Sequence, residues 1–206
     1  MDKKIIVISI IMFLLGSAST ALYLYLVGSD SLSNAPSTDK TQSAYQTNTM
    51  DQLFITQMIP HHEDAIIMAK MALDSSQHQE IKELANNINK TQSEEIVLMR
   101  TWYKAWFGSD VPEDSIVQPG ERMGMGTMHM GMMGNNTDMN SLRNAPDFDQ
   151  EFIKQMIPHH QMAIMMATML LRSTDREEMK TLAQNIIDAQ TKEIEEMRAW
   201  YATWYQ

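Results

Sequence analysis

The apolar pattern divides the chain into five stretches. Residues 5–27 are uncharged, residues 28–49 are polar, and residues 50–107 and 147–206 carry apolar positions that step by three and four, while residues 108–146 show no period. The uncharged run follows Lys3 and Lys4 and is long enough to span a bilayer as a helix, with its N-terminus in the cytoplasm. The small residues 16–20 would be the cleavage region if it were instead a signal peptide. Residues 21–27 are still apolar beyond that point, which favours an uncleaved transmembrane anchor; in either case the rest of the chain lies outside the cytoplasm. Residues 28–49 read as a flexible linker rich in Ser, Thr, Asn and Gln.

Helical periodicity starts near Asp51, with Phe54, Met58, Ile66 and Met68 among its apolar positions, and Ser75–Ser76 break it. Ser76 with Gln79 reads as a capping box, and so does Thr174 with Glu177. The helix capped by the first box runs from about Gln77 to Phe107, with an inward stripe of Ile81, Leu84, Ile88, Gln92, Glu95, Met99, Trp102 and Trp106. An offset of 98 residues aligns residues 51–107 with residues 149–205 without a gap, and Met-Ile-Pro-His-His recurs letter for letter at 58–62 and 156–160. Each repeat is therefore a helical hairpin. A single hairpin cannot bury its stripe, whereas two can cover each other. The expected fold is all-α: a four-helix bundle from two tandem hairpins (50–107 and 147–206), with residues 108–146 as a Met/Gly-rich linker and a transmembrane or signal helix in front.

Composition narrows the chemistry. There is no cysteine, so neither disulfides nor thiolates take part, which suits thioether and imidazole chemistry in an oxidising compartment. Twenty-six acidic against 16 basic side chains give a net charge of −10, which argues against nucleic acid as a partner.

Met58, His61 and His62 lie at i, i+3 and i+4 and share one helical face, as do Met156, His159 and His160. Pro60 and Pro158 remove the N–H owed to the carbonyls of Thr56 and Lys154, which should kink the helix at the histidines. With the turn centred between Ser75 and Ser76, His61 is level with Lys90, and Gln92, Glu95 and Met99 fall within about two turns of it. Gln92 and Glu95 are the polar members of the inward stripe. A buried carboxylate needs a partner, and His61, His62 or a metal they hold is the nearest. Gln190, Glu193 and Met197 repeat the pattern. Metal ligation and a purely structural polar network both fit, and in either case Glu95 and Glu193 can fix a histidine tautomer.

The chain has 21 methionines. Met68, Met71, Met165, Met166 and Met169 lie on helices, where core filling is the default role. The loop is different: Met123, Met125, Met128, His129, Met130, Met132 and Met133 stand among glycines and cannot build a core. Thioether with imidazole selects Cu(I) or Ag(I). The pairs Trp102/Trp106 and Trp200/Trp204 read as apolar edges that close the bundle, with a cation–π contact to Cu(I) as the alternative.

The pattern Met-Ile-Pro-His-His-x-x-Ala-x-x-Met, followed by Gln-x-x-Glu-Ile-x-x-Met-x-x-Trp, resembles the domain of unknown function 305 family. It occurs at 58–68 with 92–102, and at 156–166 with 190–200. The resemblance implies a ferritin-like bundle that is exported, and some members are periplasmic proteins that bind copper or silver and support metal tolerance. It also implies Met58, His61, His62, Met68 and Met99, with Met156, His159, His160, Met166 and Met197, as ligands. The expectation is a copper-binding protein outside the cytoplasm, not an enzyme, that sequesters or transfers Cu(I) and takes Cu(II) or Ag(I) as well. Its partners would be metal ions, the inner membrane and a copper-transfer protein. The rivals are a structural or adaptor bundle and a di-metal oxidase, although the chain lacks the Glu-x-x-His motif that the oxidase chemistry uses.

Overall fold

The computed structural model describes residues 38–112 and 137–206, with side chains from Thr49 onward. The molecule divides into two compact units, Met1–Lys40 and Thr41–Gln206. Nearly all of the first unit lies outside the described residues, as do the apolar run 5–27 and the Met/His loop 123–133. Among the described residues every regular element is helical, and no helix is long and apolar enough to cross a membrane. The helices are α1 (Thr38–Ser75), α2 (Gln79–Phe107), α3 (Met139–Arg143), α4 (Phe148–Leu171) and α5 (Glu177–Tyr205).

Three expectations change. Residues 38–49 are helical rather than a flexible tether. No Gly or Pro stands between Pro36 and Pro60, and adding polar residues to a helix that packing has already nucleated is cheap. The capping boxes do not form: the N-caps are His78 and Arg176, neither with a side-chain cap bond. Ser76 Oγ donates to the His78 carbonyl at 3.1 Å, and Thr174 Oγ1 accepts from the Arg176 amide at 3.1 Å. The linker also contains α3, whose N-cap Asp138 accepts from the amides of Asn140 and Ser141 and whose Leu142 is fully buried. Gly108 ends α2 as expected of a glycine past a helix, at φ 74° with its amide on the Lys104 carbonyl.

What replaces the capping boxes also joins the two hairpins. Asp149, near the start of α4, accepts from the amides of Gln77 and His78 at 3.0 Å each and from His78 Nδ1 at 2.6 Å. Its repeat mate Asp51, in α1, takes Arg176 Nε at 3.0 Å. Outside each carboxylate is a ring. His78 stacks on Trp204 at 3.7 Å and 11°, and the Arg176 guanidinium lies 4.2 Å over Trp106. The turn of each hairpin therefore docks on the open end of the other.

These contacts set the topology. The start of α4 meets the end of α1, so α1 and α4 run antiparallel, while α2 and α4 run parallel. A chain leaving the end of α2 must return along the bundle, about 43 Å, to begin α4. A crossover is thus a requirement of the fold, which weakens the inference from linker length alone to a function.

Burial raises the Asp149 carboxyl, but bonds from Ser76, His78 and the two amides outweigh it and hold it below its ordinary 3.8. A depressed carboxylate contributes stability that is present above the unfolded value and lost as the pH falls through the folded one. Asp149→Ala is therefore expected to lower stability at pH 7 by about 2–3 kcal/mol in urea unfolding. The gap from the parent should narrow as the pH drops below 3.8. An unchanged gap down to the acid limit would rule out this role for the carboxylate.

Candidate metal centre

Two apolar clusters fill the bundle, separated by a polar layer. Along α1 the order is Phe54–Ile59 in one cluster, the histidines, then Ala65–Ala72 in the other; α4 runs Phe152–Met156, histidines, Ala163–Leu170. Gln92 of α2 and Gln190 of α5 fall at the same level, both 3% exposed. Adjacent helical positions point about 100° apart, so the paired histidines face different neighbours. His61 turns to the other hairpin, with its ring 3.7 Å from that of His159 at 37°. His62 turns to its own hairpin, where Nε2 meets Glu95 Oε2 at 2.7 Å; His160 meets Glu193 Oε2 at 2.7 Å.

The level of this layer differs from the counted one. The turn occupies residues 76–78, so α2 starts at Gln79 and the register moves by about one helical turn. Gln92 comes level with His62, with Glu95 within reach; the pairing of Glu95 with a paired histidine was expected, and the structure identifies His62.

A carboxylate only accepts, so Nε2–H donates to it, and in the neutral ring Nδ1 then carries the lone pair. The Nδ1 atoms of His62 and His160 are buried with no hydrogen bond, and so are Gln92 Oε1 and Gln190 Oε1. Both ring nitrogens of His159 are buried without a well-formed hydrogen bond. Each such buried group costs about 1–3 kcal/mol relative to a paired one. Burial first, then the nearness of His61, His160 and His62, pushes His159 well below the ordinary imidazole value. It stays neutral, as a ligand must be, to lower pH than an exposed histidine would. Among the described residues no three His, Asp or Glu side chains converge as a ready chelate. The donors come in pairs, an arrangement suited to a cation of low coordination number with thioethers completing its shell.

The thioethers divide between the two clusters. Met58 and Met99 belong to one, with Met166 of the other hairpin packed against it; Met156 and Met197 belong to the second, with Met68 of the other hairpin. All but Met166 are fully buried, and Met179 joins Met166 at the first cluster as Met71 joins Met68 at the second. The tryptophan pairs stack on each other as bundle edges, at 5.5 and 5.8 Å. Trp106 and Trp204 each have a ring face occupied by Arg176 or His78. Arg100 reaches Glu63 at 2.9 Å. Met123, Met125, Met128, His129, Met130, Met132 and Met133 lie outside the described residues.

Asp51 and Asp149 were not singled out by the sequence reading. The signal was present: each lies seven residues before Met58 or Met156, on the same buried stripe, and each is repeated at the common offset.

No curated protein matches the chain. The solved structure of CopM in the Cu(II)-bound form is 49% identical, covers 75% of this chain and 97% of its own, and has a TM-score of 0.66. CopM in the Cu(I)-bound form is 45% identical, covers 76% and 98%, and has a TM-score of 0.64. A DUF305 fragment from Deinococcus radiodurans is 26% identical, covers 75% and 96%, and has a TM-score of 0.61. The DUF305 family model, a domain of unknown function, matches residues 51–201, and the chain belongs to that family.

Proposed function

We propose that this protein binds copper outside the cytoplasm and sequesters or passes on Cu(I), with Cu(II) and Ag(I) as further cargo, in support of metal tolerance. The observation that carries the reading is that Nδ1 of His62, Nδ1 of His160 and the ring nitrogens of His159 are buried where the two hairpins meet, without a well-formed hydrogen bond. Binding a soft cation there removes a penalty that the metal-free fold bears. The similarity to CopM, solved with Cu(I), Cu(II) and Ag bound, supports the same cargo. His62 and His160 would donate through Nδ1, oriented by Glu95 and Glu193. His159 and His61 would join them across the hairpin interface, with Met58, Met99, Met156 and Met197 as the core thioethers. Loop residues 123–133 would capture or exchange ions. The apolar run 5–27 behind two lysines supports an anchor in the inner membrane, or export with cleavage, and a copper-transfer protein is the partner this role calls for. The reading is of a binding protein, not of an enzyme.

The two complete His–Glu bonds favour one second reading, a polar layer that only sets helix register. The two readings differ in the metal-free chain. If the layer is kept for metal, His159→Leu removes unpaired buried nitrogens, and urea unfolding should show stability unchanged or raised by about 1 kcal/mol. A loss of about 2 kcal/mol or more would favour the structural role.

Anaerobic Cu(I) titration against a competing chelator tests the main reading on three full-length chains: intact, lacking residues 123–133, and with His61, His62, His159 and His160 replaced. Each change should remove part of the bound copper. The pair Glu95→Gln and Glu193→Gln should weaken the histidine sites by about 10- to 100-fold. If the intact chain binds no more tightly than about 1 μM, the proposal fails.

A further inference from the structure

Between Met50–Gln57 of α1 and the end of α4, no other element among the described residues covers the surface. Met50, Phe54 and Gln57 of α1 and Met166, Met169 and Leu170 of α4 line a cavity of about 20 Å³, room for a single water-sized atom. The repeat supplies a comparison. The matching positions in the other half are Phe148, Phe152, Gln155, Met68, Met71 and Ala72. There α3 fills the space: Leu142 is fully buried in one cluster with Phe152, Met68 and Ala72, and Met139, Met71 and Phe148 pack beside it. Gln155, the mate of Gln57, is occupied with the Asp138 amide and carbonyl.

One copy of the groove is therefore plugged by α3, and the other is open among the described residues. At the open one, a thioether (Met50) stands where the plugged one has a phenyl ring (Phe148). Met169 is 43% exposed and, with Val97, is a large apolar side chain left in water among the described residues. An apolar void with Gln57 as its polar liner is a poor water site, since a buried water needs two to four polar partners. Three thioethers around a one-atom space instead match a soft monovalent cation, which they select over harder ions.

We propose that this groove is a second metal site, separate from the histidine layer, in which Met50, Met166 and Met169 bind Cu(I) or Ag(I) at the surface of the bundle. It rests on the copper reading for its cargo, adds Met50 and Met169 as donors, and places Met166 with them instead of at the histidines. An ion held there is reachable from solvent, so the groove serves exchange, whereas the buried layer serves retention.

The test is an Ag(I) titration of the full-length chain in detergent, carrying 13C-methyl methionine, with the methyl resonances assigned through single Met→Leu variants. The methyl signals of Met50, Met166 and Met169 should move together and saturate with one ion. The triple variant M50L/M166L/M169L keeps side-chain volume, removes the sulfurs, and should bind one Ag(I) fewer per chain. If those three signals stay fixed while the other methionines respond, the groove is not a site and the copper reading stands. If no signal moves and no ion binds, both proposals fall.

Discussion

Two imidazoles with their rings 3.7 Å apart in the middle of a bundle cannot both carry charge. That constraint governs the rest of the structure. Burial and the neighbouring rings keep His159 neutral, and its ring nitrogens, with Nδ1 of His62 and of His160, are buried between the apolar clusters without a well-formed hydrogen bond. The carboxylates of Glu95 and Glu193 stay one helix away from the His61–His159 contact and bind the outer histidine of each pair. They fix the orientation of the rings without filling the centre.

Stability and chemistry are consequently separated along the bundle axis. The ends are held by carboxylates, amides and stacked rings: Asp149 with His78 and Trp204, Asp51 with Arg176 and Trp106. The ends do not bear equal loads. Asp149 gathers enough bonds to stay depressed, whereas at Asp51 burial outweighs the contributions of Thr174 and Arg176 and the carboxyl is raised. The apolar clusters supply most of the folding drive between these ends. The polar layer lies between them, and its two His–Glu bonds tie α1 to α2 and α4 to α5.

Much of this was legible in the sequence. The period of three and four gave the helices, and the 98-residue offset gave the hairpins and the expectation that they pack together. The inward polar pair Gln92/Glu95 gave the partner of the histidines. The error lay at the turn. Ser76–Gln79 has the form of a capping box, but the amides of Gln77 and His78 are satisfied by Asp149, 71 residues or more away in sequence. No local pattern can display a cap contributed by another hairpin, and moving the helix start shifted the whole register by a turn. The antiparallel packing of α1 and α4 is equally invisible to a local pattern; it places Met68 with Met156 and Met197, and Met166 beside Met58 and Met99.

The repeat has one more consequence. The contacts across the hairpins come in matched pairs related by the same offset, which is the signature of a two-fold dimer whose subunits have been joined into one chain. In a true dimer, the His61–His159 contact would dissolve on dilution. Fusion makes its assembly intramolecular, so the central pair of rings is present at any protein concentration. In the fused chain the junction of the two hairpins needs no second molecule to form, however dilute the protein.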